Sequence, residues 1–477
     1  MKKTTQIQQW LFLIFILGMH TSCQEDTNLT PTNSPIDFTQ HYSNPSKQVA
    51  ADVKQTADGG YIMVGSGYSQ TTDAEADILV IKTDASGHEQ WSVLLGKADG
   101  MGTGSLSSQY VRYDETAVKI ELLPNNGGYA IAGNRTYVAY ANTTSTSGTK
   151  HKNKIVLYEI GLSGTPTLVN GTELNEGTET TEKLSDFKLD ENNGAIKYVL
   201  TGHTTAIKPN KPNDQYNNVH DLTDIFITAL DHSFTPLWPL GNMVYGFTGE
   251  DYGTSIQILP DAYLIIGTTQ YANSGFENGL TAIKIGKEHG TPLDVKDFGD
   301  QDYDLAGGYS TYNPNTHYIT ITGHAKSSSL VNPNQIFVVQ IDETLNTQYP
   351  NGTSSSTFGF KFLPITPPSN QSVGSTYEAA SIDLLSNNTG FVIATTHKDL
   401  LGTDIGILNL DINFDLRSGW PYYQGVVGNR SNEVAAAAIS ATNSATNQEV
   451  ITFTGTFEAN TNNSQIGLIQ LNTTAAL

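Results

Sequence analysis

The sequence predicts an all-β protein: a seven-bladed β-propeller of four-stranded antiparallel blades, closed by a strand from the start of the chain. Three observations carry this. A four-strand unit recurs seven times. Its central strands are apolar on both faces. The last copy lacks a fourth strand, and a spare strand stands before the first copy.

The first unit shows the pattern best. Residues 49–56 (VAADVKQT) alternate, 57–60 (ADGG) form a tight turn, and 61–65 (YIMVG) form a second strand. A polar loop leads to a third strand, 77–84 (DILVIKTD). Ala85, Ser86 and Gly87 then turn the chain into a fourth, 89–95 (EQWSVLL). Short apolar runs bounded by turn residues are the signature of consecutive antiparallel strands.

Second strands recur as YAIAG, YVLTG, YLIIG, YITITG, FVIAT and VITFTG, ending at Gly133, Gly202, Gly267, Gly323, Thr395 and Gly455. Counted from Gly65, the separations are 68, 69, 65, 56, 72 and 60 residues. Third strands follow in step from Lys154, Asp224, Leu280, Gln335, Asp404 and Gln465. Apolar residues on both faces fit sheets packed between two neighbours, and four-stranded units repeated about an axis make a propeller. The seventh unit stops near Leu471. The segment Ile36–Tyr42 (IDFTQHY) is the expected fourth strand, and pairing it there removes two exposed edges.

The repeat DGGYIMVG followed by DILVIKTDASGHEQW resembles a propeller repeat common in secreted and surface proteins of the Bacteroidetes. The likeness is close in the first unit and fades along the chain; the fifth has Asn313, Pro314, Asn315 and Thr316 where the turn glycines stood. The resemblance implies fold and surface location, not a reaction.

Residues 1–22 read as a signal peptide: Lys2 and Lys3, an apolar run at 10–17 (WLFLIFIL), then small and polar residues before the single cysteine, Cys23. Eight apolar residues fall short of the roughly 20 that span a bilayer. Thr21, Ser22 and Cys23 resemble the lipobox of bacterial lipoproteins, with His20 departing from its usual Leu or Val. That resemblance implies a diacylglyceryl group on the Cys23 thiol. Gln24, Glu25 and Asp26 look like the acidic tag that sends such lipoproteins to the outer face of the outer membrane. Residues 23–35 then form a lipidated tether, and 36–477 the propeller.

Removing residues 1–22 takes out two lysines and no acid, leaving a net charge near −24. That argues against nucleic acid, which needs basic patches. It leaves basic peptides, cations and neutral ligands as partners.

Function is expected on the face that carries the second-to-third and fourth-to-first connections, because those are long: 97–113, 134–153, 203–223 and 351–376. Loops of this kind on a rigid scaffold carry function. Aromatic residues gather there, with Tyr137, Tyr140, Tyr216, Tyr245, Tyr252 and Tyr271 the candidate ligand contacts and Tyr110, Tyr113, Tyr422 and Tyr423 beside them. Rings of this kind stack on sugar faces and peptide side chains.

A second pattern puts an acid at or near the start of six innermost strands: Glu115, Glu182, Asp251, Asp304, Glu378 and Glu433, with Gln48 in the first. They are expected at one mouth of the channel. The preferred reading has each accept backbone amides of the next blade; the other is a cation site, calcium being the candidate. His203 and His324 follow the second-strand glycines, and no metal site is assigned to them. No motif of a catalytic elbow, a zinc helix or a phosphate loop is present.

The sequence thus points to a non-catalytic surface lipoprotein without a bound cofactor, binding a glycan or peptide nutrient or docking on an outer-membrane transport complex. A propeller-fold glycoside hydrolase or lyase is one alternative. A purely structural interaction protein is the other.

Overall fold

The computed structural model describes residues 36–42, 47–68, 76–97, 99–101, 108–142, 148–150, 153–162, 168–174, 181–192, 194–205, 223–238, 243–246, 249–270, 278–299, 303–327, 334–348, 359–363, 365, 375–399, 402–424, 432–458 and 464–473. Cys23, Tyr216 and Tyr271 lie outside them. Seven antiparallel sheets form a closed ring, each innermost strand meeting those of both neighbours. The protein is a seven-bladed β-propeller.

Innermost strands are Gln48–Gln55, Tyr110–Leu123, Glu182–Asn192, Asp251–Ile258, Tyr303–Asn313, Thr376–Leu384 and Val434–Thr442, for blades 1 to 7. In the last blade, Ile36–Tyr42 pairs antiparallel with Gln465–Asn472, Phe38 opposite Gln470 and His41 opposite Gly467. The ring is therefore closed by the strand expected to close it. Blade 5 splits its outer strand into Thr347–Gln348 and Lys361–Phe362, both on the third strand.

There is no single core. Buried apolar side chains fall into seven clusters, one in each seam between adjacent blades. Second and third strands supply most of them, which is why those strands read as apolar throughout.

The repeated second-strand glycine has a steric reason. In every blade the innermost strand carries a β-bulge at the same place, and the residue before the bulge pairs with that glycine: Ala50 with Gly65, Ala117 with Gly133, Leu184 with Gly202, Gly253 with Gly267, Gly307 with Gly323, and Ala435 with Gly455. A bulge pushes one carbonyl toward the partner strand. A Cβ at Gly65 would lie 2.3 Å from the Val49 oxygen, and one at Gly202 would lie 1.9 Å from that of Lys183. Blade 6 pairs Ala379 with Thr395 instead, and Gly406 on the third strand makes the room.

The turns between third and fourth strands repeat too. Asp84, Asp231, Asp342 and Asp411 each accept two backbone N–H groups through Oδ1, for example from Ser86 and His88. The fourth turn position takes positive φ, filled by Gly87, Phe234, Leu345 and Phe414. The sequence reading marked this turn only in blade 1, where glycine advertises it.

Candidate functional site: the blade 2 ribbon and the channel

All six acids stand at the same end of their innermost strands, yet they do not form one ring. Two residues before the residue that faces the second-strand glycine, the equivalent position holds Gln48, Glu115, Glu182, Asp251, Leu305, Tyr377 and Glu433. Every one is buried, at 7% exposure or less. Asp304 and Glu378 fall one residue to either side. Successive side chains of a strand point to opposite faces, so these two leave the column: Glu378 is exposed and Asp304 half-buried.

The column serves the seams. The amides of Gln48, Glu182, Asp251, Leu305 and Glu433 donate to carbonyls at the start of the preceding blade's third strand, at Ser464, Asn153, Thr223, Asn278 and Thr403, over 2.9 to 3.1 Å. Side chains of an innermost strand face its two neighbours, so the acids bond within the seams. Lys154 Nζ lies 3.1 Å from Glu182 Oε2, both nearly inaccessible. Asp251 accepts from the Thr269 hydroxyl, and Asp304 from Asn278 Nδ2 at 2.7 Å. Caps on the amides of the next blade are made by acids deeper in: Asp52 accepts from the Ile120 amide at 3.2 Å, Asp186 from Ile256 at 2.8 Å, and Asp383 from Ser440 at 3.0 Å. Each donor is on the next blade.

Glu115 sits in the seam between blades 1 and 2. Arg135 Nε and the Lys97 amide donate to its Oε1 at 2.7 and 2.9 Å. A Cβ on Gly96 would lie 1.9 Å from Asp77 Oδ1 and 3.1 Å from Glu115 Oε2, so glycine admits both carboxyls. Burial pushes Glu115 up to about 7, against the pull of Arg135, and burial also raises Asp77. Glu115 is fully buried in the seam, and Asp77 is half-buried beside it.

Blade 2 departs from the repeat. Its second strand, Gly128–Tyr140, runs seven residues past Gly133; elsewhere the run is two to four. The excess lifts a ribbon about 10 to 16 Å above the ring, at roughly 3.3 Å per residue. Gly100–Met101 and Gly148–Lys150 pair along its edges, making a small four-stranded sheet at the tip. Tyr110 stands opposite Tyr140, Arg112 opposite Val138, and Tyr113 opposite Tyr137. Pairs directly opposite share a face. On one face the Arg112 guanidinium lies 5.9 Å from the Tyr110 ring and 4.9 Å from that of Tyr140. On the other, Tyr113 and Tyr137 lie 6.0 Å apart, and Lys97 Nζ is 4.6 Å from the Tyr113 ring. All four tyrosines are half-buried.

The sequence reading placed 110–113 and 134–140 in long loops. They are strands, and the alternation of Y-V-R-Y and R-T-Y-V-A-Y carried that signal. It also missed the cations Arg112 and Lys97. Tyr245 and Tyr252, both half-buried, make their contacts in seams. The Tyr245 hydroxyl donates to the Gly290 carbonyl at 2.7 Å, and its ring packs on the core between blades 3 and 4. Tyr252 donates to Glu250 at 2.5 Å and meets the His203 ring edge-on at 4.9 Å. Burial, with Lys183 nearby, holds His203 down at about 4, so it is a neutral ring at physiological pH. His203 and His324 stand at equivalent positions of blades 3 and 5, with blade 4 between them. Among the described residues no three His, Cys, Asp or Glu side chains converge as metal ligands do.

Below the bulges, the channel holds a half-open cavity of about 290 Å3. Its wall has two halves. On the innermost strands of blades 1 to 3 charge alternates from blade to blade: Asp52, Lys119 and Asp186 at the first position after the bulge, then Lys54, Glu121 and Lys188 two residues on, and all but Glu121 line the cavity. Lys119 lies 3.5 Å from Asp52; Lys54 and Lys188 lie 3.3 and 3.7 Å from Glu121. Burial opposes the charge on Lys54, but Glu121, Asp52 and Asp383 overcome it and hold the ammonium above its usual range. Burial would likewise raise Asp52, and Lys119 and Lys54 reverse that. On blades 4 to 7 the wall is mostly small and hydroxylic, with Ser255, Ser310, Ser381 and Ala437, joined by Tyr309 and Asp383. Burial raises Asp383 despite the Ser440 amide. In the sequence these charges show only as acid and lysine alternating at the same offset in ADVK, VKIE and SDFK.

No protein-family model and no curated protein sequence matches the chain. Among solved structures, the chain is similar to one described as a Dos1 propeller, at 9% identity, with 91% of this chain and 94% of that one covered and a TM-score of 0.41. It is similar to a neuraminidase-like protein from A/bat/Guatemala/164/2009, at 9% identity, with 71% and 85% covered and a TM-score of 0.36. It is also similar to an α-L-arabinofuranosidase from Lactobacillus brevis, at 11% identity, with 65% and 96% covered and a TM-score of 0.33.

Proposed function

We propose that the protein is a non-catalytic surface lipoprotein, held to the outer membrane by a lipid on Cys23, that binds a glycan or peptide nutrient on the blade 2 ribbon. One observation carries the reading: among the described residues, blade 2 alone extends its second strand well beyond the repeat, into a small sheet that presents Tyr110, Arg112 and Tyr140 on one face. Packed tyrosines lose little entropy on binding. Cross-strand pairing fixes their spacing before the ligand arrives, which lowers the cost of association.

The test is a glycan array and a peptide array probed with the wild-type protein and with Tyr110→Ala/Tyr140→Ala. Binding to members of one array, weakened at least tenfold in the double variant, is the expected result. Equal binding by both proteins would move the site off the ribbon. Anchoring is tested apart: Cys23→Ala should lose incorporation of a labelled fatty acid and leave the membrane fraction, and equal labelling would overturn it.

A further inference from the structure

Independently of what the ribbon binds, we infer that Asp77 and Glu115 share one proton and form a pH-sensitive clasp at the ribbon's root, closed while the proton is held and open once it leaves. The neighbouring seam shows why a proton is needed. In blade 2, Lys154 of the third strand pairs opposite Arg135, two residues past Gly133; in blade 1, Asp77 of the third strand pairs opposite Gly67, two past Gly65. The two positions are equivalent. Lys154 reaches across its seam to Glu182 at 3.1 Å. Asp77 reaches across its own to Glu115 and hydrogen-bonds to it. Where the next seam sets an ammonium against a carboxylate, this one sets carboxyl against carboxyl. Two carboxylates have no hydrogen to share, and they repel, so the bond between them needs a proton.

The oxygens are placed for it. Glu115 Oε1 is satisfied by Arg135 Nε and the Lys97 amide at 2.7 and 2.9 Å. Its Oε2 is buried and meets no N–H or hydroxyl donor. That oxygen and Asp77 Oδ1 flank Gly96, lying 3.1 and 1.9 Å from where its Cβ would be. The other charged or titratable groups around the pair are Arg135, Tyr158, Lys97, Asp99 and Asp114. Arg135 donates its second nitrogen to the Tyr158 hydroxyl at 2.8 Å, and its charge balances one carboxylate; the proton removes the other. Burial holds Glu115 up to about 7 against Arg135 and the Lys97 amide. Burial raises Asp77 too, and Asp99 and Asp114 add to it.

What the clasp holds is the root of the ribbon. Glu115 and Arg135 stand opposite each other where the two strands leave the ring. The Arg135 guanidinium lies 5.7 Å from the Tyr113 ring, Lys97 Nζ lies 4.6 Å from the same ring, and the Tyr113 amide donates to Asp99 at 3.1 Å. Loss of the proton leaves two negative charges in the seam against one guanidinium. Asp77, the half-buried member, then turns toward water, and the tie between blade 1 and the ribbon's root is broken.

The test uses the full-length protein. Infrared difference spectra between about pH 5 and pH 8 should show the C=O stretch of a protonated carboxyl vanishing as pH rises. Asp77→Asn and Glu115→Gln each put a permanent N–H donor where the shared proton was, so both should lack that signal. Asp383, also raised by burial, keeps its own in either variant. Hydrogen exchange, corrected for the chemical effect of pH on exchange, is the second readout. In the wild type, protection over 96–101 and 110–116 should fall at least tenfold from the lower pH to the higher; either variant should hold it constant. If one variant does not fold, the other decides. A carboxyl signal that survives in the folded variant overturns the shared proton. Wild-type protection that is flat with pH, or that falls equally in the variant, overturns the clasp.

Discussion

The seam column and the blade 2 ribbon rise from the same end of the same innermost strands, and they are built by opposite rules. In the column, the position two before the bulge partner is buried in every blade, whether it holds Gln48, Glu182, Leu305 or Tyr377. Chemistry varies there and burial does not, so its task is to latch one blade to the next. The ribbon exists in one blade only among the described residues, and its tyrosines keep part of their surface. What every blade repeats builds the ring; what a single blade adds is free to serve something else. Four acids that look like a charged mouth in the sequence are buried in the seams.

The sharpest way to break that division is to open the ring. Deleting residues 24–42 removes the outer strand of blade 7, with Phe38 against the seam core and the buried Tyr42, whose hydroxyl donates to the Gly87 carbonyl. Two large side chains at roughly 1.5–3 kcal/mol each, with a newly exposed edge, should lower stability by about 5 kcal/mol. Chemical denaturation measures this. A loss under about 1 kcal/mol would mean that the ring does not depend on closure.

Next in size is Lys154→Ala. It leaves Glu182 charged and buried, which should cost about 3–5 kcal/mol. Lys154→Met combined with Glu182→Leu should recover most of that, because neither charge is then left alone. If the double variant is as unstable as the single one, the seam needs the charges themselves.

Glu115 yields a smaller effect with a defined sign. Its pKa is raised by burial from 4.5 to about 7, so the folded state holds a proton that the unfolded state has lost. Its contribution is present in full below pH 4.5 and fades as pH rises through about 7. The gap is roughly 3 kcal/mol at 1.36 kcal/mol per unit. Glu115→Gln should therefore gain melting temperature relative to wild type at pH 8 and not at pH 5. A gap that is flat with pH would place the proton elsewhere.

The fold was legible because its rule is steric and strict. A bulged carbonyl admits only glycine opposite, or Thr395 with Gly406 beside it, so the marker recurs once per blade, at separations of 56 to 72 residues. The acids were less legible because the register that matters is one residue wide. Asp304 beside Leu305 and Glu378 beside Tyr377 look equivalent to Glu182 by counting, and a shift of one turns the side chain to the other face. The channel charges were hidden differently: Asp52, Lys119 and Asp186 are far apart in the chain, and only the ring makes them neighbours. The seam contacts of Tyr245 and Tyr252 were not legible, because an aromatic ring in a connection reads the same whether it meets a ligand or a seam.

The smallest effect on stability should come from the ribbon, and it is the most informative one. Tyr140→Ala truncates a half-buried ring on a sheet that projects beyond the seam clusters. It removes a cross-strand pair with Tyr110 and the contact of its ring with Arg112. Exposed pairs and cation–π contacts of this kind contribute about 0.5–1 kcal/mol each, so stability should fall by no more than about 2 kcal/mol. Arg112→Ala should cost less, since both tyrosines remain paired. If the ribbon is a binding surface, these two changes should lower affinity for the ligand found on the arrays by tenfold or more, while Lys154→Met/Glu182→Leu leaves affinity intact. The reverse pattern, a large loss of stability on the ribbon with unchanged binding, would make the ribbon one more structural part and erase the distinction between the two regions.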